Sequence, residues 1–240
     1  MNAIQSKYES QINEMVETCH AAAARLYVAS QGGNLSWRVG PDAVLIPPTR
    51  VNKGKLAGDD IVIVGMDGGI RYAAPGRRPT GESYIHLGIF RKRPDIVSIV
   101  HAHPPWLTAF ALSKPELLRR AYLPEPVIEV GPMALTEYAQ PLTEDLARTF
   151  DPVIQRHNAF LMRNHGVVLL SVEGLGRCFE LLEMMEVTAQ TVAIAETLGG
   201  AKPLPASNMD GLAQVMRTRE LRMPGAPGAV KDLRDLYPES

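Results

Sequence analysis

Short apolar runs separated by turn residues fill much of this 240-residue chain, and amphipathic helical stripes lie before, among and after them. Leu35–Val39, Ala43–Ile46, Ile61–Val64 and Ile70–Ala73 are too short for buried helices and read as strands. The last two flank Met66-Asp67-Gly68-Gly69, a hairpin signal. Ile96 to His103 reads as a buried strand stopped by Pro104-Pro105, after which a short helix, Trp106–Leu112, begins. Further strands are expected at Val127–Val130, Ala159–Met162 and Val167–Leu170, the last pair joined at Asn164-His165-Gly166. Helical periodicity runs from Tyr8 to about Ala29, from Ile85 to near Pro94, from about Thr143, and from Leu175 to Glu196 before Gly199-Gly200. Pro203, Pro205, Pro224 and Pro227 then mark a tail with few packing signals and one short helix near Leu212–Leu221. The pattern predicts one α/β or α+β domain over residues 1–200 and a tail over 201–240 that could close over a site.

Composition removes several classes of function. Lys and Arg total 25 against 26 Asp and Glu, a formal charge of −1, so no basic surplus invites nucleic acid or an anionic membrane. No apolar stretch approaches the ~18 residues of a membrane span. Met1 to Glu17 mixes polar and charged residues, unlike a secretory signal. Cys19 and Cys178 sit on apolar helical positions and read as buried thiols in a reducing, cytoplasmic setting.

The residues with chemical potential are few. His101 and His103 share one face of the expected strand, with Cα atoms about 6.6 Å apart, a spacing that lets two imidazoles meet one metal ion. Taken alone they are equally two satisfied histidines at a strand edge. His165, held in a turn between two apolar strands, offers a third ligand or a turn histidine bonded to its own backbone. Glu82 falls in the first turn of a helix, where the dipole keeps a carboxylate ionised, with His86 one turn on. Beside a divalent cation it could ligate or act as a base. Gly32-Gly33-Asn34-Leu35-Ser36 could present backbone N–H groups to an anion, or be a tight turn from helix to strand. Pro48-Thr49-Arg50 adds a hydroxyl and a forked cation suited to phosphate or carboxylate.

In order and spacing, Gly-Gly-Asn-Leu-Ser at 32–36, Leu-Ile-Pro-Pro-Thr at 45–49, Pro-Thr-Gly-Glu at 79–82, His-Ala-His-Pro at 101–104 and Asn-His-Gly at 164–166 resemble the class II aldolase/adducin family. The resemblance runs from the first helix to about Gly200. It implies a central, mainly antiparallel sheet flanked by helices, and a homotetramer with sites at subunit interfaces. It places one divalent metal ion per subunit, zinc first and manganese second, on His101, His103 and His165. Glu82 would ligate the resting metal and serve as general acid and base. Gly33, Asn34, Thr49, Thr80 and Gly81 would hold the phosphate of a small anionic substrate, with Arg50 beside them.

Three places depart from the members that cleave fuculose 1-phosphate. Thr49-Arg50 stands where they carry Thr-Gly, and Thr80-Gly81 where they carry Ser-Ser. Their interfacial tyrosine has no clear counterpart; Glu125, Glu129 and Tyr237 are the candidate acids. The resemblance implies reversible aldol cleavage of a ketose 1-phosphate to dihydroxyacetone phosphate and an aldehyde. The alternatives are decarboxylation of a keto or aromatic acid, dehydration of a sugar phosphate, and a non-catalytic adducin-like assembly role.

Overall fold

The computed structural model describes residues 3–237. Its centre is an eight-stranded sheet in the order β4-β3-β2-β1-β5-β8-β7-β6. The strands are β1 (Asn34–Gly40), β2 (Ala43–Ile46), β3 (Val62–Val64), β4 (Ile70–Tyr72), β5 (Ser98–Ala102), β6 (Ala134–Thr136), β7 (Ala159–Met162) and β8 (Gly166–Ser171). Every pairing is antiparallel except β6 with β7. The helices are α1 (Ala3–Ser6), α2 (Glu9–Ala24), α3 (Ser83–Lys92), α4 (Pro105–Leu112), α5 (Pro124–Glu129), α6 (Glu144–Arg148), α7 (Leu175–Thr197) and α8 (Met209–Thr218).

The two-residue period of the central strands divides the core between two helical layers. Leu35, Val100, Val167 and Leu169 join a cluster with Ile12 and Met15 of α2, Leu107 of α4 and Leu182 of α7. Ile99, Val168 and Leu170 face the other way, onto Ile85 and Phe90 of α3 and Leu146 of α6. All of β5 and β8 is buried, so their runs are continuously apolar rather than alternating.

Local chemistry sets the boundaries. α2 buries Ile12, Met15, Cys19 and Ala22, and stops at Ala24 because Leu26 takes a left-handed φ of 60°. α3 ends two residues before Pro94. α4 starts with Pro105 at its first position, and its free N–H groups meet a carboxylate from another helix. Glu186 of α7, buried, accepts from the backbone N–H of Trp106 and Leu107 at 2.8 and 2.9 Å. Burial raises its carboxyl above the ordinary range, against the lowering pull of those two donors.

Arg93 is fully buried where α3 turns into β5. Its Nε and Nη2 donate to the two carboxylate oxygens of Asp95 at 2.9 and 2.8 Å. Nη2 also reaches Asn158 Oδ1 at 3.0 Å, and Nη1 reaches the carbonyls of Ile154 and His157 at 2.9 and 3.1 Å. The forked guanidinium thus ties the α3–β5 connection to the 154–158 segment before β7, beside the Gln155 Nε2 bond to Lys92 O at 3.1 Å.

Two expectations need correction. Val127–Val130 is not a strand: Pro124 opens α5, with Glu125 in its first turn, and the apolar residues are one face of that helix. Nor does the tail lack packing. Met209, Ala213 and Met216 of α8, with Val230, Leu233, Leu236 and Tyr237, close a third cluster on Val127 and Ile128. Backbone bonds from Ala226 to Gln155 and from Leu204 to Ala121 bind it further. Within the chain, residues 220–230 line a cavity of about 700 Å³ beside Ser171 and Arg177, at the end of β8 away from His165. None of the described helices is long and apolar enough to cross a membrane.

Candidate metal centre

β5 ends at Ala102, with His101 inside the strand and His103 just beyond it. The hairpin from β7 to β8 pairs Met162 with Gly166 and presents His165 in the connection. Asn164 turns that connection with a left-handed φ of 56°, and the His165 N–H donates to Met162 O at 3.0 Å. Because Ala102 lies opposite Val167, the hairpin sets His165 beside the end of β5. The ring centroids of His101 lie 4.9 Å from those of both His103 and His165, which are 5.3 Å apart. One nitrogen from each ring falls within 4.8 Å of the others, close enough for one shared ion.

The donor set fits a divalent cation. His101 Nδ1–H donates to Val167 O at 2.8 Å, which fixes the tautomer and leaves the Nε2 lone pair facing the cluster. His101 Nε2 and His103 Nε2 are both buried without a hydrogen-bond partner. Glu82 sits against them, with Oε2 3.3 Å from His101 Nε2 and Oε1 3.5 Å from His165 Nε2. Burial pulls His103 down to about 3 and His165 down to about 4, so both rings are neutral at physiological pH and able to offer a lone pair to an ion. Burial alone would raise the Glu82 carboxyl. His101, Asn34 and His165 outweigh that and hold it well below the usual carboxylate range. Gly166 keeps the space open: a Cβ there would lie 2.3 Å from His103 Cδ2 and 2.6 Å from Ala102 O.

Glu82 is itself held by a buried relay. Asn34 Nδ2 donates to Glu82 Oε2 at 2.6 Å. The Asn34 Oδ1 can only accept, so His86 Nε2 carries the proton and donates to it. His86 Nδ1 must then accept from the Ser36 hydroxyl, 2.6 Å away. Burial lowers His86 to about 3 and keeps this tautomer neutral. Replacing His86 with Leu should therefore lower kcat about 10–100-fold while metal content per chain stays unchanged. Equal turnover would show that Asn34 needs no support. Ser36 is the relay member that sequence reasoning missed, although it shares a strand face with Asn34.

The expected phosphate residues come together in part. The Pro48–Pro79 bridge, Thr80 N–H to Pro47 O at 3.1 Å and Thr49 N–H to Arg78 O at 3.0 Å lay segment 47–50 against 78–81. Thr80 is buried, Gly81 lies under Leu142, and Thr49 and Arg50 are exposed. Gly33 takes a φ of +66° and packs against the His101 carbonyl. Asn34 points inward to Glu82 and His86 rather than out to solvent. Of the candidate acids, Glu125 is exposed, Glu129 pairs with Arg177 at 2.7 Å, and Tyr237 is buried in the third core cluster.

Comparison with known proteins places this arrangement. The family described as class II aldolase and adducin N-terminal domain matches residues 13–193, most of the chain. A 3-oxo-tetronate 4-phosphate decarboxylase of Haemophilus influenzae is 29% identical over 191 residues, 78% of this chain and 88% of that protein. An L-fuculose phosphate aldolase of Methanococcus maripaludis is 29% identical over 187 residues, covering 78% and 98%. The crystal structure of YgbL from Klebsiella pneumoniae superposes with a TM-score of 0.77 at 26% identity, over 89% of this chain and 98% of that one. Fold and site define an enzyme of the carbon–carbon lyase class. The chain belongs to the class II aldolase and adducin family.

Proposed function

We propose that this enzyme cleaves the carbon–carbon bond between the α and β carbons of a carbonyl in a small phosphorylated sugar, releasing dihydroxyacetone phosphate and an aldehyde from a ketose 1-phosphate. The observation that carries the reading is the ionised Glu82 carboxylate, 3.3 and 3.5 Å from two imidazoles of a triad built to hold a cation. A divalent ion on His101, His103 and His165, zinc or manganese, supplies Lewis-acid charge where negative charge develops on the substrate oxygens. The protein does the rest. Asn34 engages Oε2 of Glu82, which leaves Oε1 as the atom that removes the proton from the substrate carbon in synthesis; in cleavage it would return to that carbon the proton that the substrate's hydroxyl gives up as the bond breaks. The neighbouring segments 33–34, 47–50 and 79–81 bind the phosphate and hold the reacting carbon near that oxygen.

A second reading, decarboxylation of a phosphorylated keto acid, is favoured by Arg50. Its φ of 59° is left-handed, a conformation that costs a non-glycine residue roughly 1–2 kcal/mol. Among the described residues its guanidinium makes no hydrogen bond or ion pair, so the side chain is available to a second anionic group. Replacing Arg50 with Gly should raise thermal stability while increasing KM for the anionic substrate about tenfold. Stability and KM falling together would remove Arg50 from the site.

The deciding experiment loads the enzyme with zinc or manganese and measures dihydroxyacetone phosphate release across a panel of ketose 1-phosphates. Release that a chelator abolishes supports the aldolase. Silence across the panel, with CO2 evolved from phosphorylated keto acids, replaces it with the decarboxylase. A tetramer with its sites at subunit interfaces belongs to the same proposal.

A further inference from the structure

A charged side chain that none of this chemistry uses lies beneath the site. Lys53 is 1% exposed, and lysine is almost never buried so fully without an acidic partner. Among the described residues no carboxylate lies within ion-pair distance of it. Its Nζ donates to Val51 O at 3.1 Å and to Gln31 O at 3.3 Å. An ammonium has three donors, so one N–H is left without a partner. The backbone N–H of Lys53 donates to Ser30 O at 3.3 Å, and Asn52 caps the short turn that carries it.

These contacts join two segments with a shared purpose. Gln31 opens the Gly32–Gly33 loop, which passes so close to the triad that a Cβ on Gly32 would lie 3.3 Å from His103 Nδ1. Val51 follows Thr49 and Arg50. One buried cation therefore clamps both halves of the proposed phosphate cradle and lies within electrostatic reach of Glu82. The nearby Cys19 thiol, pushed up to about 12 by burial, is uncharged and offers no counter-ion. A desolvated charge of this kind is costly unless an anion arrives to balance it.

We propose that Lys53 is the buried cation of the substrate's phosphate subsite, locking the Gly32–Gly33 loop to the Thr49–Arg50 segment and attracting the phosphate with its charge. This rests on the reading that the substrate is phosphorylated. Lys53 is a positioning residue: it holds the two loops and adds its charge to the subsite they form.

The test uses inorganic phosphate and the metal-loaded full chain, with binding followed by calorimetry. Two variants separate charge from mere stapling. Lys53→Met removes both the donors and the charge, whereas Lys53→Gln keeps N–H donors and loses only the charge. Both should weaken phosphate binding about tenfold or more, and raise KM for a phosphorylated substrate by a similar factor. The metal content should not move, and kcat at saturation should stay within about threefold. Phosphate bound by either variant as tightly as by the wild type overturns the proposal. So does a fall in kcat with KM unchanged, the mark of a structural staple. If neither variant folds, the 13Cε resonance of Lys53 in the wild-type protein decides. A shift with the calorimetric half-point supports the role, and a resonance unmoved by phosphate refutes it. Wild-type protein that binds no phosphate overturns both this inference and the phosphorylated-substrate reading. Wild type and variants that bind it equally overturn this inference alone.

Discussion

Substituting His103 with Ala should lower turnover roughly a thousandfold or more and leave less than the full complement of one divalent ion per chain. The size follows from geometry. His101 Nε2 and His103 Nε2 are buried without a hydrogen-bond partner, and the cation they would share loses one of three converging imidazoles, with only Glu82 left beside the remaining pair. Thr49→Ala is the matching control: it removes one exposed hydroxyl and should cost only about tenfold, mainly in KM. Metal analysis beside steady-state kinetics checks both. A His103→Ala enzyme that turns over normally would sink the metal reading, whichever substrate is found.

Arg93→Leu should cost about 3–5 kcal/mol of stability, read as a lowered midpoint in chemical denaturation. The substitution strands the Asp95 carboxylate and the carbonyls of Ile154 and His157, and leaves the Asn158 amide oxygen with the Gly225 N–H as its remaining donor. Arg93→Lys keeps the charge but supplies a single nitrogen where a planar fork bridges two segments, and should recover less than half of the loss. Turnover per folded molecule should remain that of the wild type, because Arg93 touches none of the site residues. A loss below about 1 kcal/mol would mean that the network is replaceable by apolar packing.

Much of this was legible in the chain. The central strands announced themselves because residues buried on both faces give unbroken apolar runs with proline or glycine at their ends. The triad and Glu82 were legible because each sits at a strand end, a hairpin turn or a helix start, where local sequence fixes the backbone. What failed was short or distant. Val127–Val130 offers three apolar residues around Glu129, too few for a period, and the prolines at 124 and 126 were the better guide to α5. β6 has only three residues and owes its existence to the parallel partner β7. The packing of α8 was written as Met209, Ala213 and Met216, a helical stripe hidden by the prolines around it. Lys53 gave no signal, since Val-Asn-Lys-Gly-Lys reads as a solvated turn until α2 and the Gly32 loop cover it. Glu186 likewise looks like any charged residue within a helix until the start of α4 is found against it.

The placement of the triad on β5 and the β7–β8 hairpin has a consequence for how damage to this protein is felt. Those strands pair residue for residue from Ser98 with Ser171 to Ala102 with Val167 and are buried along their whole length. Their amides should exchange with solvent only when the entire molecule opens, so the ligands ride on the last part of the chain to come apart. Lesions elsewhere would then reduce the number of competent molecules without degrading the competence of each. A library of destabilised variants should sort by abundance, with activity per folded chain nearly constant, until a substitution reaches the strands themselves.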